Sequence, residues 1–78
     1  MKLSYYPETD SLYIEFNDRP GTATREIIAG IVVDLDADGN AVGIDIDRAS
    51  EKLDLETLET SALPLTAVNR SVGDEVME

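Results

Sequence analysis

The chain opens with two short segments, residues 2–6 and 11–16, in which apolar and polar residues alternate. Alternation with a period of two is typical of half-buried strands, and the Pro-Glu-Thr-Asp run between them is typical of a turn. A four-residue loop pairs Tyr6 with Ser11. The pairs that follow from this register are Tyr5–Leu12, Leu3–Ile14 and Lys2–Glu15. Opposite residues point to the same side of a sheet, so this register gathers the apolar side chains on one face and predicts an antiparallel hairpin.

A second hairpin is predicted around Asp38-Gly39, which separates two further alternating runs. Asp-Gly is typical of a two-residue type I′ turn, whose central residues both need a positive φ. Such a turn pairs Ala37 with Asn40. The pairs that follow are Leu35–Val42, Val33–Ile44 and Ile31–Ile46. The apolar residues again share one face, and the opposite face carries four aspartates, namely Asp34, Asp36, Asp45 and Asp47.

A further strand and one helix complete the predicted elements. Residues 24–28 read as a strand that ends in a turn at Gly30, where a bulge is the alternative. Asp54 has the character of a helix N-cap, and Pro64 ends the helix. A start at Ser50, one turn earlier, is the alternative. The inward stripe of this helix consists of Leu55, Leu58 and Ala62.

Together these elements predict an α+β fold, namely an antiparallel β-meander of four to five strands followed by a short C-terminal helix. Residues 1–63 form the single predicted domain. Residues 64–78 contain few large apolar side chains and no clear period, so they are interpreted as a partly ordered or disordered tail. A short terminal helix, or a strand that forms on partner binding, is the alternative for this segment.

Composition excludes several classes of function. The 78 residues include 6 Lys and Arg against 17 Asp and Glu, a net charge of −11, with no cysteine and no histidine. Disulfides, thiolate chemistry and the commonest general base are therefore absent. An acidic chain does not hold a nucleic-acid backbone by charge, so Tyr5, Tyr6 and Tyr13 are interpreted as core or sheet-surface residues rather than base-stacking residues. No apolar run approaches the roughly 20 residues of a membrane span, and no signal-peptide pattern is present, so a cytoplasmic protein without membrane contact is expected.

One run resembles a cation-binding loop. Asp34, Asp36 and Asp38, followed by Gly39, have the spacing of the first half of an EF-hand loop, with Asp45 at its twelfth position. The flanking segments read as strands rather than helices, and strand alternation explains the aspartate spacing without a metal. The four carboxylates are therefore expected to bind divalent cations weakly at most, and no cofactor is expected.

The remaining chemistry points to association rather than catalysis. No nucleophile and base stand in a recognisable motif, so no catalytic residue is assigned and a non-enzyme is expected. The outward aspartates, namely Asp34, Asp36, Asp45 and Asp47, read either as a solvated face or as a docking surface for a basic protein. The apolar face is broader than a two-turn helix can cover. This predicts a homodimer, with a longer C-terminal helix as the alternative.

The sequence also resembles a known family. Residues 5–14, Tyr-Tyr-Pro-Glu-Thr-Asp-Ser-Leu-Tyr-Ile, are similar to its opening Y-D-P-E-x-D-x-L-Y-I. Residues 30–34, 38–39 and 42–46 resemble its G-V-V-x-D…G…V-G-I-E-I core. The family is the small prokaryotic domain of unknown function 2283, and the resemblance covers about residues 2–55. The sequence departs from the pattern at Tyr6 and Asp45. The motif encodes turns and core, so the resemblance implies a fold and no catalytic residues. Some members are encoded beside small toxin-like proteins, which implies an antitoxin-like partnership.

Overall fold

The computed structural model describes residues 1–65, which form a five-stranded antiparallel sheet followed by one short helix. The elements are β1 (Lys2–Tyr6), β2 (Ser11–Glu15), β3 (Ala23–Ile28), β4 (Ile31–Leu35), β5 (Ala41–Asp47) and α1 (Ala49–Lys52). The predicted α+β class, with an antiparallel sheet and a short C-terminal helix, is confirmed. The predicted tail lies outside the described residues from position 66 onward.

The N-terminal hairpin has the predicted register. Strands β1 and β2 pair Tyr6 with Ser11 and Lys2 with Glu15, and the intermediate pairs follow in order. Asp10 closes the connecting turn with a positive φ of 54°. Asp is one of the few residues besides Gly that adopt this left-handed conformation readily, so the turn sequence and the strand alternation specify the same hairpin.

The order of the strands, β1-β2-β5-β4-β3, departs from the simple meander that was predicted. Strand β2 pairs with β5, and the chain between β2 and β3 passes the ends of β5 and β4. Its backbone donates hydrogen bonds from Phe16 N–H to Val42 O at 2.9 Å and from Thr22 N–H to Leu35 O at 2.8 Å. This order places β5, with three buried residues, in the centre and the fully exposed β3 at an edge.

The β4–β5 hairpin has the predicted register along most of its length. Ile31 pairs with Ile46 and Val33 with Ile44, as predicted. The pairing shifts after Asp34, so the predicted pair of Leu35 with Val42 is wrong and Leu35 lies opposite Ala41 instead.

The shift arises because the turn contains three residues rather than two. Asp36 N–H donates to Asn40 O at 2.8 Å, and Gly39 N–H donates to Asp36 O at 3.0 Å. The Asp36 carboxylate accepts from the N–H groups of Asp38 and Asn40, both at 2.9 Å. Gly39 has a φ of 84°, the positive value that glycine adopts without strain. The predicted pair Ala37–Asn40 is therefore wrong, because the Asp36 side chain stabilises a longer loop whose extra residue is absorbed as a bulge.

The turn predicted at Gly30 is confirmed. Gly30 has a φ of 87°, and Ile28 pairs with Ile31 across it. The register of β3 shifts between Glu26 and Ile28, so a bulge is also present, within the strand rather than at the glycine.

The helix predicted from Asp54 is wrong. Helix α1 spans Ala49–Lys52, close to the alternative start at Ser50, and the chain after it has no regular structure up to residue 65. The Asp54 carboxylate instead accepts hydrogen bonds from Glu56 N–H at 3.0 Å and from the Thr57 hydroxyl at 2.8 Å. This is the cap of an isolated turn. The predicted apolar stripe does not pack on the sheet, since Leu58 is 76% exposed. A short helix that packs against nothing is not stable.

Asp10 attaches α1 to the first hairpin. Its backbone carbonyl accepts from Ala49 N–H at 2.8 Å. Its carboxylate accepts from the Ser50 hydroxyl at 2.6 Å, from Ser50 N–H at 3.1 Å and from the Tyr5 hydroxyl at 2.7 Å. These hydrogen bonds, led by the one from the Ser50 hydroxyl, lower the pKa of Asp10. The hydrogen bond from Tyr5 to Asp10 raises the pKa of Tyr5.

Substitution of Asp10 should destabilise the fold in a pH-dependent way. We expect Asp10→Ala to lower the thermal midpoint at pH 7 by several degrees. Because the folded-state pKa of Asp10 is lower than its ordinary value of 3.8, its contribution is present above that value and is lost as pH falls through the folded-state pKa. Thermal unfolding followed by circular dichroism from pH 7 to pH 2 should therefore show the two proteins converging in acid. Asp10→Asn keeps an acceptor and the left-handed preference and should lose less stability; a gap between wild type and Asp10→Ala that stays constant in acid would contradict this role.

The core within residues 1–65 is small. Its buried apolar residues are Leu12, Val42, Ile46 and Ala49. Three of them, Leu12, Ile46 and Ala49, form one cluster in which α1 packs on the sheet through Ala49. Ile14, Ile31 and Ile44 border this cluster and are only partly buried. A four-residue helix thus covers one end of the sheet face and leaves the remainder open.

Candidate functional site

The strand registers divide the side chains of the sheet between two faces of different chemistry. We name as the apolar face the residues Leu3, Tyr5, Leu12, Ile14, Ile31, Val33, Ile44 and Ile46, which lie opposite one another in neighbouring strands. We name as the acidic face the residues Tyr13, Glu15, Glu26, Asp34, Asp45 and Asp47, which alternate with them. The side-chain period of two produces both faces from the same strands.

Three of the four aspartates predicted to form a docking surface lie on the acidic face. Asp45 and Asp47 are on the central strand β5, and Asp34 is on β4. Partial burial raises the pKa of Asp45, and the negative charges of Asp47 and Asp34 raise it further. The ionised carboxylates on the acidic face therefore repel one another.

Removal of the Asp45 charge should stabilise the protein. Because the folded-state pKa of Asp45 lies above its ordinary value of 3.8, its ionised form destabilises the fold at neutral pH, and this cost disappears as pH falls through the folded-state pKa. We expect Asp45→Asn to increase the free energy of unfolding by about 0.5 kcal/mol at pH 7 and low salt, with the gain lost near pH 3. Urea unfolding at both pH values measures this. The exposed Glu59→Gln provides a control of equal charge change, and an equal gain from it would refute the local explanation.

Asp36, the fourth predicted docking residue, belongs to the turn rather than to the acidic face. Its side chain is only 9% exposed and accepts hydrogen bonds from two backbone N–H groups of the turn. Its other carboxylate oxygen lies 3.6 Å from a guanidinium nitrogen of Arg19. A carboxylate with these partners organises the loop and has little surface to offer a partner protein.

Tyr13 crosses the acidic face above Gly43. Its hydroxyl donates to Asp34 Oδ2 at 2.7 Å, and this hydrogen bond raises the pKa of Tyr13 to about 12. A Cβ at Gly43 would lie 2.7 Å from Tyr13 Cζ and 3.1 Å from the Ile14 carbonyl oxygen. Gly43 is therefore the residue that leaves room for the tyrosine ring to span β5 and to reach β4.

Sequence reasoning did not assign this Tyr13–Gly43–Asp34 arrangement. A glycine inside a strand with strong alternation is a signal that another group approaches closely. Identifying that group required the pairing of β2 with β5, which brings Glu15 opposite Gly43 and places Tyr13 diagonally beside it. That pairing joins strands about thirty residues apart, and no local turn specifies it.

The aspartates with EF-hand-like spacing do not converge on one point. Asp34 accepts from Tyr13, Asp36 is held inside the turn, and Asp38 is exposed at its tip. Within residues 1–65, no three acidic side chains are placed so that they could hold one metal ion. The aspartate spacing is explained by strand alternation and by the Asp36 loop.

One depression lies on the surface of the part of the chain that the structure describes, residues 1–65. This depression lies beside the start of β3 and is lined by Gly21, Thr22, Ala23, Thr24 and Asp34, so Asp34 is its one ionisable residue. A single carboxylate among small residues does not by itself indicate catalytic chemistry. Across the same residues, no helix has the length and apolar character needed to cross a membrane.

The apolar face is open over much of its area. Leu3 is 44% exposed and Tyr5 is 43% exposed, although both point to the side that carries α1. Ile14, Ile31, Val33 and Ile44 are partly exposed. The largest apolar patch on a protein surface is often a binding site, so this face is the second candidate binding surface.

Comparison with known proteins identifies the family and no individual relative. Neither the comparison with curated proteins nor that with solved structures gave a match. A family model does match, over residues 2–50. This range contains all five strands and the start of α1, together with the turn residues and Gly43. With its sheet and more than half of its length matched, the chain belongs to the family described as Protein of unknown function (DUF2283).

Proposed function

We propose that this domain is a small, non-catalytic protein-interaction module that binds through the faces of its sheet. The observation that carries the proposal is the contrast between two open faces, one apolar and one acidic, built on a single layer of strands. Flat surfaces of this kind fit protein partners, whereas small molecules bind in concave sites. We place the module in the cytoplasm, as expected for a domain that has no cysteine.

The acidic face supports binding of a basic protein. Asp45 and Asp47 project from the central strand, with Asp34 on the neighbouring strand, and partial burial strengthens the charge interactions of Asp45. An approaching Lys or Arg would relieve the repulsion among these carboxylates. Attraction of this type accelerates association and weakens as salt rises.

An antitoxin-like inhibitor is the second candidate function and a sharper form of the same interaction. The gathering of Asp34, Asp45 and Asp47 on one face favours it, because a basic toxin would be neutralised by a surface with opposite charge. In this form, the module would cover the basic active or nucleic-acid-binding surface of its partner.

The test compares capture of partners by charge-matched variants. Immobilised wild-type protein, Asp45→Asn/Asp47→Asn and Glu56→Gln/Glu59→Gln would each be incubated with lysate of the source organism at 50 and 500 mM salt. We expect a basic protein that is retained at low salt by the wild type and by the Glu56/Glu59 variant, but not by the Asp45/Asp47 variant. Retention that ignores salt, or that both double variants lose equally, would reject the acidic face as the binding surface.

A further inference from the structure

The apolar face leaves open about as much apolar surface as a dimer interface buries. Leu3 and Tyr5 are each more than two fifths exposed, and Ile28, beside Ile31 at the far edge, is 58% exposed. With these fractions and the partly exposed residues between them, the open apolar area is on the order of 450 Å². A standard interface buries about 800 Å² per partner, of which about two thirds is apolar in homodimers.

We propose that the occupant of this face is a second copy of the chain, packed face to face about the open part of the sheet. The inference rests on the proposed interaction function and names one of its partners. A twofold arrangement uses the same patch on both copies, so an apolar surface without charged residues at its centre is complementary to itself.

The small core supports this choice of partner. Four buried apolar residues in the described part of the chain are few for a domain of this size. Small domains usually add disulfides, a structural metal or association with another chain. The sequence has neither cysteine nor histidine, which removes disulfides and the usual zinc ligands. Association is the stabilising device that remains compatible with this composition.

The charge distribution favours stacking over the alternatives. In a face-to-face dimer, both acidic faces point outward, on opposite sides of the assembly, so the carboxylates of these faces stay away from the interface. Arg25, opposite Val33 on the edge strand, is the charged residue that the strand registers place on the apolar face. Its edge position allows the guanidinium to remain in water at the rim.

Edge-to-edge pairing of two copies through β3 is less favourable. Two identical strands can pair in antiparallel fashion with the apolar faces of both sheets on the same side. In such a pair, a residue lies opposite its own copy, or opposite a residue two positions further along the partner strand. At the middle of β3 this brings Arg25 beside Arg25, or Glu26 beside Glu26. The bulge between Glu26 and Ile28 interrupts the edge further. These features disfavour association through the β3 edge.

The test measures the mass of the full-length chain in solution. Sedimentation velocity from 1 to 200 µM should give twice the 8.5 kDa of the monomer at high concentration. Dimerisation should strengthen between 50 and 500 mM salt, because salt screens the repulsion between two acidic chains. Binding of a basic partner should weaken over the same range of salt. The opposite salt dependence allows each of the two proposals to be rejected without the other.

Adjacent substitutions in β1 provide a matched control. Leu3 and Ser4 point to opposite faces of the same exposed edge strand, so Leu3→Lys and Ser4→Lys introduce the same charge on different faces. We expect Leu3→Lys to weaken dimerisation at least 30-fold and Ser4→Lys to leave it within about threefold. Circular dichroism verifies folding of both variants.

A measurement on unaltered protein completes the test. In a mixture of isotope-labelled and unlabelled chains, nuclear Overhauser effects between copies should involve the methyl groups of Leu3, Ile14 and Ile44. A wild-type monomer at 200 µM and 500 mM salt, equal effects of the two lysine variants, or contacts between copies confined to the acidic face would each overturn the proposal.

Discussion

Gly43→Ala should destabilise the protein by about 2–4 kcal/mol, although alanine is ordinarily tolerated in a strand. The added methyl group would meet the Tyr13 ring and the Ile14 carbonyl oxygen, at 2.7 Å from Cζ and 3.1 Å from the oxygen. The tyrosine cannot turn aside without losing its hydrogen bond to Asp34. Urea unfolding at neutral pH, followed by circular dichroism, measures the loss.

A double-mutant cycle separates this explanation from an intrinsic need for glycine. The φ of Gly43 is not among the positive values in the chain, so its backbone conformation is open to any residue. In a Tyr13→Ala background, Gly43→Ala should therefore cost about 1 kcal/mol or less, because only the contact with the Ile14 carbonyl oxygen remains, which corresponds to a coupling free energy of about 1–3 kcal/mol. Additive effects of the two substitutions would show that the glycine serves another purpose. Tyr13→Phe should reduce the coupling, because it removes the hydroxyl group that lies nearest to the added methyl group and the hydrogen bond to Asp34 that holds the ring in place.

Sequence reasoning succeeded where the relevant interactions are close in the chain. The registers of β1 with β2 and of most of β4 with β5 follow from alternating side chains joined by short turns. In such hairpins, a shift by one residue would turn Leu3 and Ile14, or Val33 and Ile44, away from the common face. The apolar pattern and the turn chemistry therefore specify the same pairing.

The predictions that failed concern segments where two local structures compete, or contacts between residues far apart in the sequence. Asp54 has the side chain of an N-cap, yet a cap stabilises a helix only when the helix also packs an apolar face, and Leu58 has none to pack against. Instead, the carboxylate satisfies an isolated turn. The pairing of β2 with β5 was likewise absent from the local pattern, because no short connection joins these strands. The Tyr13–Gly43 contact was consequently also missed.

The candidate site was predicted in part for the same reasons. Alternation alone places Asp34, Asp45 and Asp47 on one face, and the strand registers agree. Alternation places Asp36 there as well, but its carboxylate lies close enough to the turn to accept two backbone hydrogen bonds. Asp at the start of a loop often bonds to backbone N–H groups two residues onward, and this competing preference overrides the strand period.

Asp36→Ala is accordingly expected to reduce stability by about 2 kcal/mol, because it removes a mostly buried carboxylate that accepts two charge-assisted hydrogen bonds. The N–H groups of Asp38 and Asn40 lose their acceptor, and the three-residue turn loses the contact that selects it. Chemical unfolding at pH 7 measures the change. Asp36→Asn retains a side-chain oxygen and should cost about half as much.

Two comparisons distinguish the role of Asp36 in the turn from a role in partner binding. Arg19→Ala should cost less than about 0.5 kcal/mol, since the guanidinium is exposed and 3.6 Å from the carboxylate. At a temperature where Asp36→Ala remains folded, it should retain a basic partner as well as wild type does, whereas Asp45→Asn/Asp47→Asn should not. A loss of partner binding by Asp36→Ala without a loss of stability would reverse this assignment and return Asp36 to the docking surface.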